Sequence, residues 1–283
     1  MNQFKKYNLI AGWATFAFAA VVYLMTIEPT ASLWDCSEFI ATSYKLEVGH
    51  PPGAPLFMMI SRFFTMFAGP QHAALMVNAM SALASGATIM FLFWSITHLA
   101  RRAMRKRENE LSMPQTIAVI GAGLVGSIAY TFTDTFWFSA VEGEVYALSS
   151  FFTAIVFWAI LKWENVADEP HANRWLILIA YLTGLAIGVH LLNLLIIPPI
   201  VLIYYFRKYS VTKWGVVKAL LVSAAILVAA MFIIIPGTIQ LGALFDRLFV
   251  NTFGLPVNSG ITLFALALDG FNFFTDCYFQ FLS

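Results

Sequence analysis

The sequence predicts an all-α protein that crosses a membrane several times. Of its 283 residues, 60% are hydrophobic and only 11% are charged, whereas about a quarter of the residues are charged in an ordinary soluble domain. The apolar residues fall in runs that are long enough to span a bilayer as helices. Clusters of lysine and arginine separate several of these runs. A buried core could not hold so many long apolar runs, so the composition excludes a soluble fold.

The first four spans follow one another along the first half of the chain. We expect them at about residues 9–27, 73–99, 114–131 and 146–161. A basic cluster follows the second span and contains Arg101, Arg102, Arg105, Lys106 and Arg107. Because basic loops stay on the cytoplasmic side, the first loop, residues 28–72, should face outward, as should the second loop, residues 134–145.

The second half of the chain adds the remaining spans. Residues 175–206 are continuously apolar, and a single span there would place Arg207 and the basic residues after it outside. We therefore expect a hairpin that turns near residues 190–193, and then a span at about residues 214–235. That span should end on the outside at Pro236. This gives about seven or eight spans in all.

The last apolar run, residues 261–283, has no cytoplasmic anchor after it. We therefore expect residues 1–283 to form a single transmembrane module that is the N-terminal part of a longer protein.

The first loop contains the residues on which the functional prediction depends. Asp35 and Glu38 should share one face of a helix at about residues 34–44, because side chains three positions apart are neighbours on a helix. His50 begins the rigid turn His-Pro-Pro-Gly, and residues 54–67 should form an amphipathic helix at the membrane surface. Two interpretations of the carboxylate pair stay open: chemistry, or a capping box that only closes the helix end.

A run in this loop resembles a known family. It reads Trp-Asp-Cys-Ser-Glu-Phe-Ile-Ala-Thr-Ser-Tyr-Lys-Leu-Glu-Val-Gly-His-Pro-Pro-Gly-Ala-Pro-Leu-Phe and begins at Trp34. It is similar to the first external loop of the protein O-mannosyltransferase-like members of the GT-C superfamily, found in Bacteroidota and in animals. The residues that match the pattern of the family are Asp35, Glu38, His50, Pro51, Pro52, Gly53 and Pro55. Trp34 and Cys36 depart from that pattern.

The resemblance implies a GT-C-type helix bundle and a membrane glycosyltransferase. Such an enzyme would move a sugar, expected to be mannose, from a polyprenyl phosphate to a Ser or Thr hydroxyl of an acceptor protein, with inversion. The resemblance assigns the catalytic base to Asp35 and leaves Glu38 to orient the acceptor or the sugar hydroxyls. No metal or other cofactor is expected. The active site would face the periplasm from a bacterial inner membrane.

Candidates for substrate binding lie in the first loop and in two further segments. Glu142, Glu144 and Tyr146 belong to Val-Glu-Gly-Glu-Val-Tyr-Ala-Leu, which is also similar to the family. His50 and His190 lie at predicted outer boundaries and could donate hydrogen bonds to a phosphate head group. A solvated acidic loop and structurally satisfied histidines remain the alternatives for these two groups.

Arg247 is the basic residue beyond the span that ends at Pro236, and it is a candidate phosphate clamp. Asp246 precedes it directly, and an ion pair between the two would argue against that role.

A transporter or a lipid-carrier flippase is the alternative function. Transporters place polar groups at the middle of the bilayer and often contain inverted repeats, whereas here the acidic residues cluster at helix ends and no repeat is visible. The net charge of +1 gives no indication of a nucleic-acid partner. Cys36 and Cys277 have no zinc-ligand spacing, and a disulfide between them stays open.

Overall fold

The computed structural model describes residues 3–105 and 110–268, and within these ranges the chain is helical and contains no strand. It divides into two compact units, Met1–Arg207 and Lys208–Ser283. The helices of the first unit are α1 (Gln3–Met25), α2 (Cys36–Lys45), α3 (Pro55–Thr65), α4 (Ala73–Ala103), α5 (Met113–Thr131), α6 (Asp134–Ala140), α7 (Val145–Val166), α8 (Asn173–Ile187) and α9 (Ile197–Lys208, whose last residue opens the second unit). The second unit contains α10 (Lys213–Ala229), α11 (Ile235–Phe253) and α12 (Ser259–Leu268).

The prediction of a polytopic all-α membrane protein is confirmed. Within the described ranges, six helical segments are long and apolar enough to cross a membrane: Gln3–Met25, Pro70–Ala103, Met113–Thr131, Val145–Val166, Leu191–Lys208 and Lys213–Phe253. The helices α8 and α12 are apolar but shorter. Cys277 lies outside the described residues, so a disulfide between it and Cys36 stays open.

Helix α4 is the centre of the first unit, and α1, α5 and α7 pack around it. Small residues allow this close approach: a Cβ atom on Gly86 would lie 3.1 Å from the Cβ atom of Ala20 on α1. Without a hydrophobic driving force between helices in lipid, such close packing is what holds a membrane bundle together. The loops that connect these helices therefore meet at the two ends of α4.

The two ends of this bundle differ in charge. At the basic end, Arg102 and His98 on α4 contact the carboxylate of Glu164 on α7, and Arg207 on α9 contacts Asp168. The guanidinium Nε of Arg207 also donates to the main-chain oxygen of Glu164 at 3.0 Å. The acidic end contains the first and second loops. The sequence-based separation of acidic and basic loops is therefore present in the fold.

The predicted hairpin is present between α8 and α9. Helix α8 ends at Ile187, a 3₁₀ segment runs over Leu191–Ile196, and α9 follows. Because Arg207 at the end of α9 contacts Asp168, which precedes α8, the chain returns to the basic end, as the charge argument requires.

The predicted end of the next span at Pro236 is wrong. Helix α10 continues through a π-helical segment, Ala230–Ile234, into α11, and Pro236 lies in the first turn of α11. A proline inside an α-helix loses one hydrogen bond and clashes with the carbonyl four residues before it. The wider π turn directly before Pro236 relieves that clash, so the chain stays helical to Phe253.

The two helices predicted in the first loop are both present as α2 and α3. Helix α3 is amphipathic: it buries Phe57 and Met58 while Met59 and Phe63 stay exposed. A guanidinium NH of Arg62 donates to the main-chain oxygen of Tyr44 at 2.6 Å, which ties α3 to the end of α2. The exposed apolar side chains suit a helix that lies at a membrane surface.

The charge asymmetry predicts the orientation of the bundle. In a chain with Cys277→Ser, the variant Glu47→Cys should react with a membrane-impermeant maleimide added to intact cells, because Glu47 is exposed after α2. The variant Arg105→Cys, at the basic end, should react only after permeabilisation. The parent chain gives the background from Cys36, which is buried. Labelling of position 105 in intact cells would contradict the predicted orientation.

Candidate active site

The carboxylate of Asp35 is not used to close the helix that it begins. Asp35 is the N-cap residue of α2, but its side chain accepts no capping hydrogen bond, and only its main-chain oxygen accepts from the Phe39 amide at 2.9 Å. Glu38 does not return a bond to the N-cap either, because its carboxylate is turned to His50. The capping-box interpretation is therefore wrong, and the Asp35 carboxylate, which is about half exposed, remains available.

Glu38 holds His50 with both of its carboxylate oxygens. Oε1 accepts from the main-chain amide of His50 at 2.6 Å, and Oε2 lies 3.0 Å from the ring Nδ1. These hydrogen bonds, from the amide first and the ring second, hold the pKa of Glu38 below 4.5. The chain passes close to this pair at Gly49, where an added Cβ would lie 3.2 Å from Glu38 Oε1 and 2.7 Å from the end of the Met58 side chain.

Asp35, Glu38 and His50 form one cluster. The ring Nε2 of His50 lies 3.9 Å from Oδ2 of Asp35, on the side opposite Glu38. One ligand-type atom from each of the three side chains lies within 4.8 Å of the others, a spacing that suits a shared proton as well as a cation. The expectation that the site works without a metal stays a prediction.

The second loop brings two buried carboxylates to the same place. Glu142 and Glu144 are both more than nine-tenths buried. Between them, Gly143 packs so tightly that an added Cβ would lie 2.9 Å from Asn78 Oδ1 on α4 and 3.2 Å from the Ile40 side chain on α2. Burial raises the pKa of Glu142, and hydrogen bonds with the Ser32 and Cys36 side chains oppose that shift.

Glu144 combines a structural contact with an unfavourable charge environment. Its carboxylate accepts from the amide of Val145 at 3.2 Å and so caps α7. Burial raises the pKa of Glu144, the capping bond lowers it, and the charges of Asp35 and Glu142 raise it further. Burial and the same pair of glutamates raise the pKa of the Cys36 thiol to about 12, so this cysteine stays a thiol rather than a nucleophile.

His190 is held by the break between α8 and α9. Its Nδ1 accepts from the main-chain amide of Leu192 at 3.2 Å, and its ring lies 5.5 Å from the ring of Tyr146. Burial lowers the pKa of His190, so near neutral pH the ring is uncharged and its proton is on Nε2. His190 is therefore a neutral hydrogen-bond donor. The amide of Leu56, which donates to the Gly188 oxygen at 2.8 Å, attaches this turn to the first loop.

One cavity joins most of the predicted residues: Asp35, His50, Glu144, Tyr146 and His190 all line it. A second, larger cavity shares Asp35, Glu144 and Tyr146 with the first and adds Glu142. Glu38 lines neither of these two cavities and contacts His50, which lines the first. Three separate segments of the chain thus converge on one site.

Arg247 lies in the second unit, on the exposed side of α11, and its Nε donates to the main-chain oxygen of Ala243 at 3.4 Å. Asp246 accepts instead from the amides of Asn258 and Gly260, at 3.2 and 3.1 Å. Asp246 therefore closes the start of α12, and the phosphate-clamp role of Arg247 stays a prediction.

The sequence analysis missed the residue that holds the two loops in place. The side-chain amide of Asn78, buried on α4, donates to the main-chain oxygens of Glu28 at 2.6 Å and Thr30 at 3.0 Å. Gly143 of the second loop packs against the same side chain. An isolated asparagine in an apolar span is itself a signal, because polar groups in a membrane helix are costly unless they bind a partner.

Comparison with known proteins identifies the family. The sequence model described as "Protein O-mannosyl-transferase TMEM260 N-terminal domain" matches residues 35–213, a stretch that begins at Asp35 and includes the whole site in the first unit.

The chain belongs to this TMEM260 N-terminal domain family.

Two curated relatives agree with this assignment. The chain is 24% identical over 195 residues to "Protein O-mannosyl-transferase tmem260" of Dictyostelium discoideum, which covers 65% of the chain and 22% of that protein. It is 21% identical over 174 residues to "Protein O-mannosyl-transferase TMEM260" of Mus musculus, over 62% of the chain and 22% of that protein. The chain thus spans about a fifth of the length of these relatives. No solved structure matches the chain.

The opposite pKa shifts of Glu142 and Glu38 predict opposite effects on stability. As the pH rises above 4.5, the unfolded chain loses the Glu142 proton while the folded chain still holds it. The free energy of unfolding should therefore fall as the pH rises from 4.5 through the raised pKa of the folded chain. The Glu38 pKa is lowered, so its contribution is present above 4.5 and is lost as the pH falls through the lowered pKa. Relative to the unchanged protein, Glu142→Gln should therefore become more stable as the pH rises, and Glu38→Gln less stable.

Thermal unfolding of both variants in the same detergent, between about pH 3 and pH 8, measures these trends. Each variant is the control for the other, because both replace a carboxylate by an amide of the same size. Trends of the same sign in the two variants would contradict the environments described for these side chains.

Proposed function

We propose that this chain forms the membrane part of a glycosyltransferase that moves mannose from a polyprenyl phosphate to a Ser or Thr hydroxyl of an acceptor protein. Membership of the family supports this proposal, because two relatives carry the name of protein O-mannosyl-transferases. The observation that carries it is the carboxylate of Asp35, which makes no capping hydrogen bond and lines a cavity together with Glu144, Tyr146 and His190. The site would face the periplasm from a bacterial inner membrane.

Asp35 is the proposed base. In the reaction, the acceptor oxygen attacks the anomeric carbon of the sugar from the face opposite the phosphate, and its proton passes to the Asp35 carboxylate. The bond from the anomeric carbon to the phosphate oxygen breaks, and its electron pair leaves with the lipid phosphate, so the configuration inverts. A base placed by a helix end suits this step, because proton transfer to a fixed group accelerates attack.

His190 is the proposed contact of the leaving phosphate. Because its Nδ1 already accepts from Leu192, its Nε2–H remains to donate to a phosphate oxygen, and the ring brings no charge that must be desolvated. Tyr146 lies beside this ring and can add a hydroxyl donor.

Glu142 and Glu144 are the proposed contacts of the sugar. Both are buried carboxyl groups with raised pKa values, and both line the larger cavity. A carboxyl group can accept hydrogen bonds from sugar hydroxyls when ionised and also donate one when protonated. Two such groups on adjacent walls would fix the orientation of a hexose ring.

A donor carried by a lipid fits the surroundings of the site better than a nucleotide sugar. The cavity lies beside α3, whose exposed Met59 and Phe63 continue into exposed Met66 and Phe67. Such a surface can lie against lipid chains. The described residues contain no strand and so no βαβ unit for a nucleotide. The lipid carrier would reach the site from the membrane plane.

Replacement of Asp35 tests the base. Asp35→Asn should lower the rate of transfer by at least about a hundredfold, because positioned base catalysis contributes about 10²- to 10⁴-fold. The melting temperature should change little, since the Asp35 side chain makes no capping bond. The matched control is Glu47→Gln, an exposed carboxylate of the same loop that pairs with Lys45 at 3.8 Å, and its rate should be unchanged. A folded Asp35→Asn protein with normal turnover would overturn this role.

The choice of donor tests the reaction class. Purified full-length protein in liposomes should transfer mannose from polyprenyl-phosphate mannose to an acceptor peptide without any nucleotide sugar present. The same liposomes, loaded with the lipid donor on one side only, distinguish a flippase from a transferase. Movement of the intact donor across the bilayer with no sugar on the peptide would favour the flippase. Efficient transfer from a nucleotide sugar without lipid would refute the proposed donor.

A further inference from the structure

Glu38 contacts a side chain of the site rather than its open space. Both of its oxygens are used by His50, through the main-chain amide at 2.6 Å and the ring Nδ1 at 3.0 Å. Each oxygen of this carboxylate therefore has one contact with the same residue, although an ionised carboxylate can accept about four hydrogen bonds. The orienting role first expected for Glu38 stays a prediction, and its geometry adds a role through His50.

This contact fixes which nitrogen of His50 carries the proton. An ionised carboxylate only accepts hydrogen bonds, so the Nδ1 that faces Glu38 must be the donor. In the neutral ring the other nitrogen, Nε2, is then a bare acceptor. His190, which lines the same cavity, has the reverse arrangement, because its Nδ1 accepts from a main-chain amide. One histidine thus presents a lone pair to the cavity and the other presents a hydrogen.

The bare nitrogen of His50 faces the proposed base. Its Nε2 lies 3.9 Å from Oδ2 of Asp35. That distance is too long for a hydrogen bond, which needs about 2.7–3.2 Å between heavy atoms, and short enough to be closed by rotation of the Asp35 side chain or by one bridging water. Once Asp35 carries a proton, it can donate a hydrogen bond to this nitrogen, and the proton can then pass to the ring.

We propose that Glu38 is a positioning residue that acts through His50, and that His50 accepts at Nε2 the proton that Asp35 takes from the acceptor hydroxyl. This inference rests on the proposed function for the origin of the proton. Glu38 keeps the proton of the resting ring on Nδ1 and stabilises the imidazolium after the transfer. Asp35 returns to its carboxylate form in the same turnover.

The proton balance of the relay is complete. Before transfer, Asp35 and Glu38 are carboxylates and the His50 ring is neutral; afterwards both are still carboxylates and the ring carries one added proton. No oxidant, reductant or metal takes part in these steps. Because the His50 side chain is 44% exposed, the ring can then release this proton to water, which prepares the site for the next acceptor.

Acidic and aromatic side chains surround the His50 ring. Three carboxylates lie near it, from two parts of the chain: Asp35 and Glu38 at the start of α2, and Glu144 of the second loop, whose charge interacts with that of His50. The ring of Phe39 lies 5.7 Å from the imidazole and supports one of its faces. These groups hold the ring in place without adding a competing positive charge.

A double-mutant cycle tests whether Glu38 acts through His50. Glu38→Gln and His50→Gln should each lower kcat on the order of a hundredfold, the scale of misplacing a reacting group by about 1 Å, with little change in KM for the donor. The double variant should be no slower than His50→Gln, because removing the intermediary removes the effect of its partner. His72→Gln, exposed before α4, is the control and should be unchanged. Losses that multiply in the double variant would overturn the proposal.

Nitrogen NMR of the full-length protein, labelled with ¹⁵N-histidine and kept in EDTA, tests the same contact without any activity. The His50 signals, assigned by their loss in His50→Gln, should show the Nδ1–H tautomer in the neutral ring. In Glu38→Gln the amide hydrogens of the new side chain face Nδ1, so the signals should change to the Nε2–H tautomer.

The two experiments separate failure of this inference from failure of the proposed function. If the unchanged protein does not transfer mannose, the proposed function fails. The NMR experiment still shows in that case whether Glu38 holds the proton of His50 on Nδ1. An Nε2–H tautomer in the unchanged protein would overturn the relay even where transfer is normal.

Discussion

The acidic end of the bundle depends on one buried amide. At the end of α4, Asn78 donates both of its side-chain hydrogens to the main-chain oxygens of Glu28 and Thr30, while Gly143 packs against its oxygen. Main-chain groups in a membrane protein must find partners inside the protein, and this side chain supplies them where the first loop crosses the bundle. A further bond, from the Glu28 amide to the Val141 oxygen at 3.1 Å, joins the two loops directly. The site is assembled on this fixed frame.

At this site, side chains of the same type differ in pKa and in hydrogen-bonding role. The carboxylate of Glu38 is solvated and hydrogen-bonded, so its pKa is lowered, whereas Glu142 and Glu144 are buried and their pKa values are raised. The two histidines differ in the same way, because a carboxylate faces Nδ1 of His50 and a main-chain amide faces Nδ1 of His190. Local hydrogen bonds and burial therefore set which of these side chains can accept a hydrogen bond and which can donate one.

The sequence was informative where a pattern is local and less so where a contact is tertiary. Hydropathy and basic loops predicted the polytopic helical fold and the hairpin near His190, because both follow from the cost of charge in a bilayer. The motif around Asp35 singled out Asp35 and His50, and the second loop singled out Glu144, all of which line the cavity. The spacing of Asp35 and Glu38 could not separate capping from chemistry, since the answer depends on how a turn twelve residues later places His50. The helix through Pro236 was missed because a π turn has no clear sequence signal.

The central claim is that Asp35, Glu144 and His190 form the binding site of one lipid-linked sugar. A cryo-EM structure of the full-length protein with a non-hydrolysable mannosyl phosphonate on a polyprenyl chain tests it most directly. We expect the anomeric carbon to face Asp35 with room for one hydroxyl oxygen, about 3–3.5 Å from that carbon, and the phosphonate to contact His190. The lipid chain should leave along α3. A donor bound at the basic end, or one whose sugar lies away from Asp35, would contradict the account.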